Sequence, residues 1–130
     1  MNKEDIILFF DDVSENWDAE MIKSDEKIER ILDVAEVTDG KVILDVGCGT
    51  GVLIPYYLER NVEKCVGADI SEKMLEIAQG KFNNNKNVEF LCADAENYLF
   101  NEKFDCIVIY NAFPHFVNFE KLFQNLSACL

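Results

Sequence analysis

The sequence has 130 residues, 49% of them hydrophobic and 28% charged, and a formal net charge of −13 at pH 7. These values are typical of a single globular domain and exclude a disordered chain. An acidic chain repels phosphate backbones, so we expect no nucleic acid among its substrates or partners. The apolar runs are too short to span a membrane and the acidic N-terminus lacks the features of a secretion signal. We therefore expect a cytoplasmic protein without a membrane partner.

Five cysteines are spread along the chain, at Cys48, Cys65, Cys92, Cys106 and Cys129. Their wide spacing contains no C-x-x-C pair, so we expect neither a metal site nor a disulfide framework. Small buried thiols in a reducing compartment are the simplest interpretation.

The hydrophobic pattern predicts helices and strands in chain order. Residues 4–20 are acidic with interspersed aromatic side chains, and apolar residues recur at helical spacing from about Met21 to Val37. Short apolar runs predict strands at Val42–Val46, Cys65–Ala68, Val88–Cys92 and Phe104–Tyr110. Helical spacing and capping residues predict helices at Val52–Arg60, Glu72–Phe82 and Asn118–Leu130, with a short helical turn at Asp94–Leu99. Strands that alternate with helices indicate an α/β fold around a parallel sheet with right-handed crossovers.

Unusual residues follow all four predicted strands. Asp45 and a glycine-rich loop end the first strand, and Asp69 ends the second. Asp94 follows the third strand, and the segment Asn111–His115 follows the fourth. Because ligands bind beyond the carboxyl ends of parallel strands, we expect these residues to line one site.

Three glycines, Gly47, Gly49 and Gly51, stand between the first strand and the following helix. Glycine is used where the backbone needs a positive φ or where a ligand approaches it closely. The free N–H groups at a helix N-terminus favour a ligand that carries a carboxylate or a phosphate. A dinucleotide is one of two ligand classes that fit at this point. Its fingerprint would read G-x-G-x-x-G, which is one residue longer than the spacing found here.

The stretch DVGCGTG, from Asp45 to Gly51, resembles the first motif of the class I S-adenosylmethionine-dependent methyltransferases, an acid followed by G-x-G-x-G. The resemblance implies a three-layer Rossmann-like α/β fold with a parallel sheet in strand order 3-2-1-4. It implies one domain over residues 1–130, with an N-terminal helical cap at 1–37 and the core at 38–130. It also implies S-adenosylmethionine as cofactor and S-adenosylhomocysteine as product, held by the loop residues Asp45, Gly47, Cys48, Gly49 and Gly51.

The cofactor contacts of this family carry over to matching positions. Asp69, in VGADIS, would accept the ribose hydroxyls, and Asp94, in LCADAEN, would accept the adenine amino group. The backbone of Ala95 would contact the adenine ring, and Ile70 and Met74 would pack against it. Ordinary core packing is the alternative for both apolar side chains. A dinucleotide site does not need Asp94, which favours a methyltransferase over an NAD-dependent oxidoreductase.

The N-terminal stretch FFDDVSENWD resembles the lead-in of small-molecule methyltransferases related to the ubiquinone and menaquinone enzymes. There Phe10 and Trp17 would cover the cofactor, or else pack within an N-terminal helix. After the fourth strand, Asn111 would contact the methionine end of the cofactor. His115, the one histidine, is the candidate catalytic base. The alternative for His115 is that it orders its loop or caps the following helix.

The resemblance implies methyl transfer to a small-molecule acceptor, which the sequence does not identify. A cofactor-binding module without catalysis is the alternative from another class. The family sheet has seven strands and this chain supplies four, so we expect the fourth strand to be an exposed apolar edge. We therefore predict self-association through that strand or through the last helix, which carries an apolar face formed by Phe119, Leu122, Phe123 and Leu126.

Overall fold

The computed structural model describes residues 3–14, 24–110 and 116–130. Its strands are β1 Val42–Val46, β2 Lys64–Asp69, β3 Val88–Cys92 and β4 Cys106–Ile109. Its helices are α1 Lys3–Val13, α2 Asp25–Val34, α3 Ile54–Glu59, α4 Glu72–Phe82 and α5 Phe119–Ser127. The four strands form one parallel sheet in the order β3-β2-β1-β4, which confirms the expected topology. Within the described ranges, every helix is too short or too polar to cross a bilayer.

Element bounds depart from the predicted ones where hydrogen bonds leave the regular pattern. β4 is shorter than the predicted strand, because Phe104 N donates to the carbonyl of Cys129 (2.7 Å) instead of to a strand. The helix predicted from residue 52 begins at Ile54, since residues 49–53 form turns. The helical turn expected after β3 is present over residues 95–97, and Asn97 N donates to the carbonyl of Asp94 at 2.9 Å.

Helices cover both faces of the sheet, which produces three layers. On one face, Ile43 of β1 packs in a cluster with Leu32 of α2. On the other face, its neighbour Leu44 packs in a cluster with Leu122 of α5. Successive side chains of a strand point to opposite faces, so a continuous apolar run is required where both faces are buried.

Burial varies along α5 and among the thiols, and the expectation that the cysteines are buried is wrong for Cys92. On α5, Leu122 and Leu126 are buried, but Phe119 and Phe123 are 43% and 48% exposed. The apolar stripe is wider than its contact with the sheet, because residues 119 and 123 lie farther around the helix than residues 122 and 126. Cys92 is exposed, unlike the other four thiols, because it ends the edge strand β3.

The outer edge of β4 is apolar. Among the described strands β4 pairs with β1 alone. A groove of about 420 Å³ lies between this edge and α2. Ile31 and Val34 of α2 line the groove and are 38% and 80% exposed. Ile107 and Ile109 of β4 line the same groove and are half-buried.

Candidate functional site

The glycine-rich loop folds back onto the end of β2. Gly47, Gly49 and Gly51 have φ angles of 74°, 56° and 85°, which residues with a Cβ rarely adopt. The N–H groups of Gly47 and Cys48 both donate to the carbonyl of Ala68, at 2.7 and 3.1 Å. The loop thus lies at the carboxyl edge of the sheet, where ligands bind in open α/β folds.

Gly67 of β2 allows this close approach. A Cβ at position 67 would lie 2.8 Å from Cys48 Sγ and 2.9 Å from Phe90 Cδ1. The sequence analysis did not single out Gly67. A lone glycine inside an apolar strand is the signal that could have identified it, since glycine in a strand marks close backbone approach.

Asp69 joins the glycine-rich loop to α4. Its Oδ2 accepts a hydrogen bond from Gly49 N at 2.8 Å, and its Oδ1 accepts one from Ser71 N at 2.9 Å. Ser71 Oγ accepts in turn from Met74 N at 3.2 Å, which caps α4 as predicted. The carboxylate is therefore held in one orientation between the glycine-rich loop and α4.

Asp94 lies next to Asp69 along the same edge. Ala93 N donates to the carbonyl of Asp69 at 2.9 Å, which brings the ends of β2 and β3 together. Within its turn, Asp94 Oδ1 accepts from Glu96 N at 3.1 Å and Oδ2 accepts from Asn97 Nδ2 at 2.8 Å. Two of the acids singled out from the sequence thus lie at adjacent strand ends.

Asp45 is a buried acid inside an otherwise apolar strand. It is 2% exposed, and its Oδ2 has no hydrogen-bond partner among the described residues. Burial, and then the charge of Asp69, raise the pKa of Asp45 to about 8. The hydroxyl of the buried Tyr57 lies beside it, and this neighbour lowers the pKa of Asp45. Burial and these two acids also raise the pKa of the Cys48 thiol well above its usual value, so this cysteine is not a nucleophile.

The remaining apolar candidates differ in exposure. Met74 and Ala95 are 1% and 3% exposed, whereas Ile70 is half-buried at the end of β2. Phe10 of α1 is half-buried, and its ring packs edge-to-face on Phe9 with centroids 5.3 Å apart.

Three candidates, Trp17, Asn111 and His115, lie outside the described residues. Within the described ranges, no group of three or more His, Cys, Asp or Glu side chains could hold a metal ion.

Helix α1 adds contacts that the sequence analysis did not predict. Asp11 Oδ1 accepts a hydrogen bond from Ser71 Oγ at 2.6 Å. Lys3 Nζ lies 3.2 Å from Asp94 Oδ1 and 3.2 Å from Glu96 Oε1. These pairs join residues far apart in the chain, so no local pattern could have revealed them.

Comparisons with known proteins identify the family. A family model for a methyltransferase domain matches residues 43–130, which is more than half of the chain. The chain belongs to the class I S-adenosylmethionine-dependent methyltransferases. A malonyl-[acyl-carrier protein] O-methyltransferase of Acetivibrio thermocellus is 33% identical over 136 residues, which cover 98% of this chain and 47% of that protein.

Two further comparisons show how varied these relatives of the methyltransferase domain are. A carboxy-S-adenosyl-L-methionine synthase of Yersinia pseudotuberculosis is 33% identical over 84% of this chain and 50% of its own length. The solved structure of a DhpI–SAM–HEP complex has the same fold, with a TM-score of 0.82 at 16% identity over 98% of this chain and 60% of that chain. The chain spans half the length or less of these two curated relatives.

Proposed function

We propose that this methyltransferase domain binds S-adenosylmethionine at the carboxyl edge of its sheet and that the protein transfers the methyl group to a small-molecule acceptor. The observation that carries the proposal is the bond from Gly49 N to Asp69 Oδ2, at 2.8 Å. It ties the glycine-rich loop and the ribose-binding candidate into one unit beside the ends of β1 and β3.

The donors and acceptors at this edge fit the proposed cofactor. The carboxylate of Asp69 would accept hydrogen bonds from the ribose hydroxyls, and that of Asp94 would accept one from the adenine amino group. The backbone at Gly47 and Gly49 carries no Cβ atom, so a ligand can lie close to it, whereas Gly51 makes room for Phe82, whose Cε2 would lie 2.8 Å from a Cβ there. The Oδ2 of Asp45 has no partner among the described residues, and a cationic methionine end bound beside it would favour the ionised form of this carboxyl. Cys48 and Ala95 would contribute backbone contacts, and Ile70 and Met74 an apolar face for the adenine.

In methyl transfer, the sulfonium of the bound cofactor supplies an electrophilic methyl group. The task of the protein is to hold cofactor and acceptor in line at contact distance and, where the acceptor is protonated, to accept its proton. We assign the first task to the acids and glycines at the strand ends. We propose His115 as the base and Asn111 as a contact of the methionine end, with Phe10 and Trp17 covering the cofactor.

The acceptor class is tested by transfer of a labelled methyl group from S-adenosylmethionine. We propose a small acid or amine, because one relative is named a malonyl-[acyl-carrier protein] O-methyltransferase and because a net charge of −13 repels nucleic acids. Label is expected on a malonyl carboxylate, an amine or a phenol in a panel, and His115→Ala is expected to lower the rate about 100-fold or more. The control Lys86→Met changes an exposed residue just before the amino end of β3, away from the carboxyl ends of the strands. It is expected to leave the rate unchanged.

The proposed methyl transfer has two competing functions, and the first is a module that binds the cofactor without catalysis. Binding of S-adenosylhomocysteine with no label on any acceptor, in the presence of intact folding, would favour that module. Binding of reduced nicotinamide cofactor in its place would instead favour the oxidoreductase alternative.

We propose a cytoplasmic location for the protein, because its five free thiols fit a reducing compartment.

We also propose that two copies associate through the outer edge of β4. The groove beside it is apolar apart from Arg30, and unpaired strand edges of this kind recruit further strands. Sedimentation is expected to show a dimer that Val34→Glu disrupts, since Val34 is 80% exposed and its replacement leaves the core intact. Phe123→Glu is the matched change on α5. If only that variant disrupts the dimer, the interface is formed by α5 and not by β4. A monomer at high concentration contradicts the proposal.

A further inference from the structure

Helix α1 is fastened to the carboxyl edge of the sheet near both of its ends. Near one end, Lys3 lies between the carboxylates of Asp94 and Glu96. Near the other end, Asp11 accepts a hydrogen bond from Ser71 at the start of α4. Ile6 between them is buried, so α1 is packed against the body of the domain and not only tethered to it.

Lys3 occupies a binding position on Asp94. Two of the donors to this carboxylate, Glu96 N and Asn97 Nδ2, come from its own turn. The third is the ammonium of Lys3, 3.2 Å from Oδ1, and it comes from another element. An ammonium and an aromatic amine are both N–H donors, so Lys3 and the adenine amino group compete for the same kind of position on the same carboxylate.

Lys3 has a second partner that does not depend on Asp94. Its ammonium lies 3.2 Å from Glu96 Oε1 and 5.3 Å from the centroid of the Phe116 ring. The Glu96 side chain is only 5% exposed, and its Oε1 also accepts from the N–H groups of Val117 and Asn118 at 2.5 and 3.1 Å. A buried carboxylate needs a compensating charge, so Lys3 remains bound to Glu96 when it leaves Asp94.

We propose that Lys3 is a specificity-determining residue of the cofactor site. In the free protein its ammonium binds the carboxylates of both Asp94 and Glu96. When the adenine amino group binds Asp94, the ammonium leaves Asp94 and stays on Glu96. This inference rests on the proposed cofactor site. The exchange selects adenine, because an amino group can replace the ammonium on a carboxylate. A hypoxanthine ring carries an oxygen in place of that amino group, and this oxygen is repelled by Asp94 but accepts a hydrogen bond from Lys3.

Calorimetric titration of the whole chain with S-adenosylhomocysteine and with S-inosylhomocysteine tests the exchange. Lys3→Met is expected to bind S-adenosylhomocysteine about two- to fivefold more tightly, the range of one partly exposed ion pair. Its affinity for S-inosylhomocysteine is expected to stay constant or fall. Lys86→Met removes the same charge from an exposed position and is expected to leave both affinities unchanged.

Glu96→Gln tests the second half of the exchange. The glutamine oxygen can still accept from Val117 N and Asn118 N, but it no longer attracts Lys3 away from Asp94. This variant is expected to bind S-adenosylhomocysteine about two- to fivefold more weakly, and Lys3→Met added to it is expected to restore tight binding. Thermal unfolding of each variant shows whether it is folded. If Glu96→Gln is not folded, the titrations of Lys3→Met alone still test the exchange.

The outcomes separate this inference from the proposed cofactor site. A wild-type chain that does not bind S-adenosylhomocysteine overturns the site and the inference together. A wild-type chain that binds it, with Lys3→Met unchanged or weaker, overturns the inference alone. An equal gain for both nucleosides in Lys3→Met also overturns it, because that result shows no selection for the amino group.

Discussion

Asp45→Asn is expected to make the protein more stable than the wild type at neutral and alkaline pH. The native pKa of Asp45 is about 8, against 3.8 for the unfolded chain. Between these values the native state binds the extra proton, so wild-type stability falls as pH rises from about 4 to 8, and the full loss is present above pH 8. Asparagine does not titrate. We expect a difference on the order of 3–5 kcal/mol above pH 8 that vanishes below pH 4.

Urea unfolding of the Asp45→Asn variant and the wild type at pH 4, 6 and 8.5 measures this difference. Asp39→Asn, in an exposed turn, is the control and is expected to show the same pH profile as the wild type. A stability difference for Asp45→Asn that does not change with pH would contradict the raised pKa.

The same Asp45→Asn variant is expected to bind the cofactor less well. The buried Oδ2 of Asp45 has no hydrogen-bond partner among the described residues, which costs stability, and such groups are found where function requires them. We propose that the cationic end of the cofactor stabilises the ionised carboxyl, an interaction that asparagine cannot make. A variant that is both more stable and weaker in binding S-adenosylmethionine would separate the functional role of Asp45 from a structural one.

Asp69→Ala is expected to abolish measurable binding of S-adenosylhomocysteine. The substitution removes the proposed acceptor for the ribose hydroxyls, and each charge-assisted hydrogen bond contributes about 1.5–3 kcal/mol, so affinity is expected to fall about 100-fold or more. It also frees Gly49 N and Ser71 N, which loosens the glycine-rich loop. Calorimetric titration measures the loss, with NAD as the control ligand.

The matched control for Asp69→Ala is Asp105→Ala. Asp105 Oδ2 accepts from Val42 N at 2.8 Å, so this substitution also removes one bond between a carboxylate and a strand backbone. It lies at the amino end of β1, away from the glycine-rich loop. Binding retained in Asp105→Ala and lost in Asp69→Ala identifies the cofactor site, whereas equal losses would point to a general effect on folding.

The strand and helix pattern could be predicted from the sequence because it depends on local chemistry. The apolar run Val42–Val46 is a buried strand, and Ser71 caps α4 through Met74 N. Alternation of strands and helices permits few topologies, since crossovers are right-handed and connections short, and the family resemblance selected the strand order that the structure has. The spacing of the acid and the glycines in DVGCGTG is sufficient to identify the family.

Other features depended on contacts between distant parts of the chain. Hydrophobic pattern alone did not show that Phe119 and Phe123 remain exposed, because the width of a helix stripe does not state how much of it the sheet covers. The need for glycine at position 67 became apparent only when Cys48 and Phe90 were found against it.

The sequence by itself determined the family, the parallel sheet and the acids that end its strands, because motif spacing and periodicity are properties of neighbouring residues. Only the tertiary structure decided what those acids contact. It placed Gly49 N on Asp69, left Asp45 buried without a partner for Oδ2, and set Lys3 between Asp94 and Glu96. Hydrogen bonds and pKa values are set by distance and burial in space, and a linear sequence specifies neither until the chain has folded.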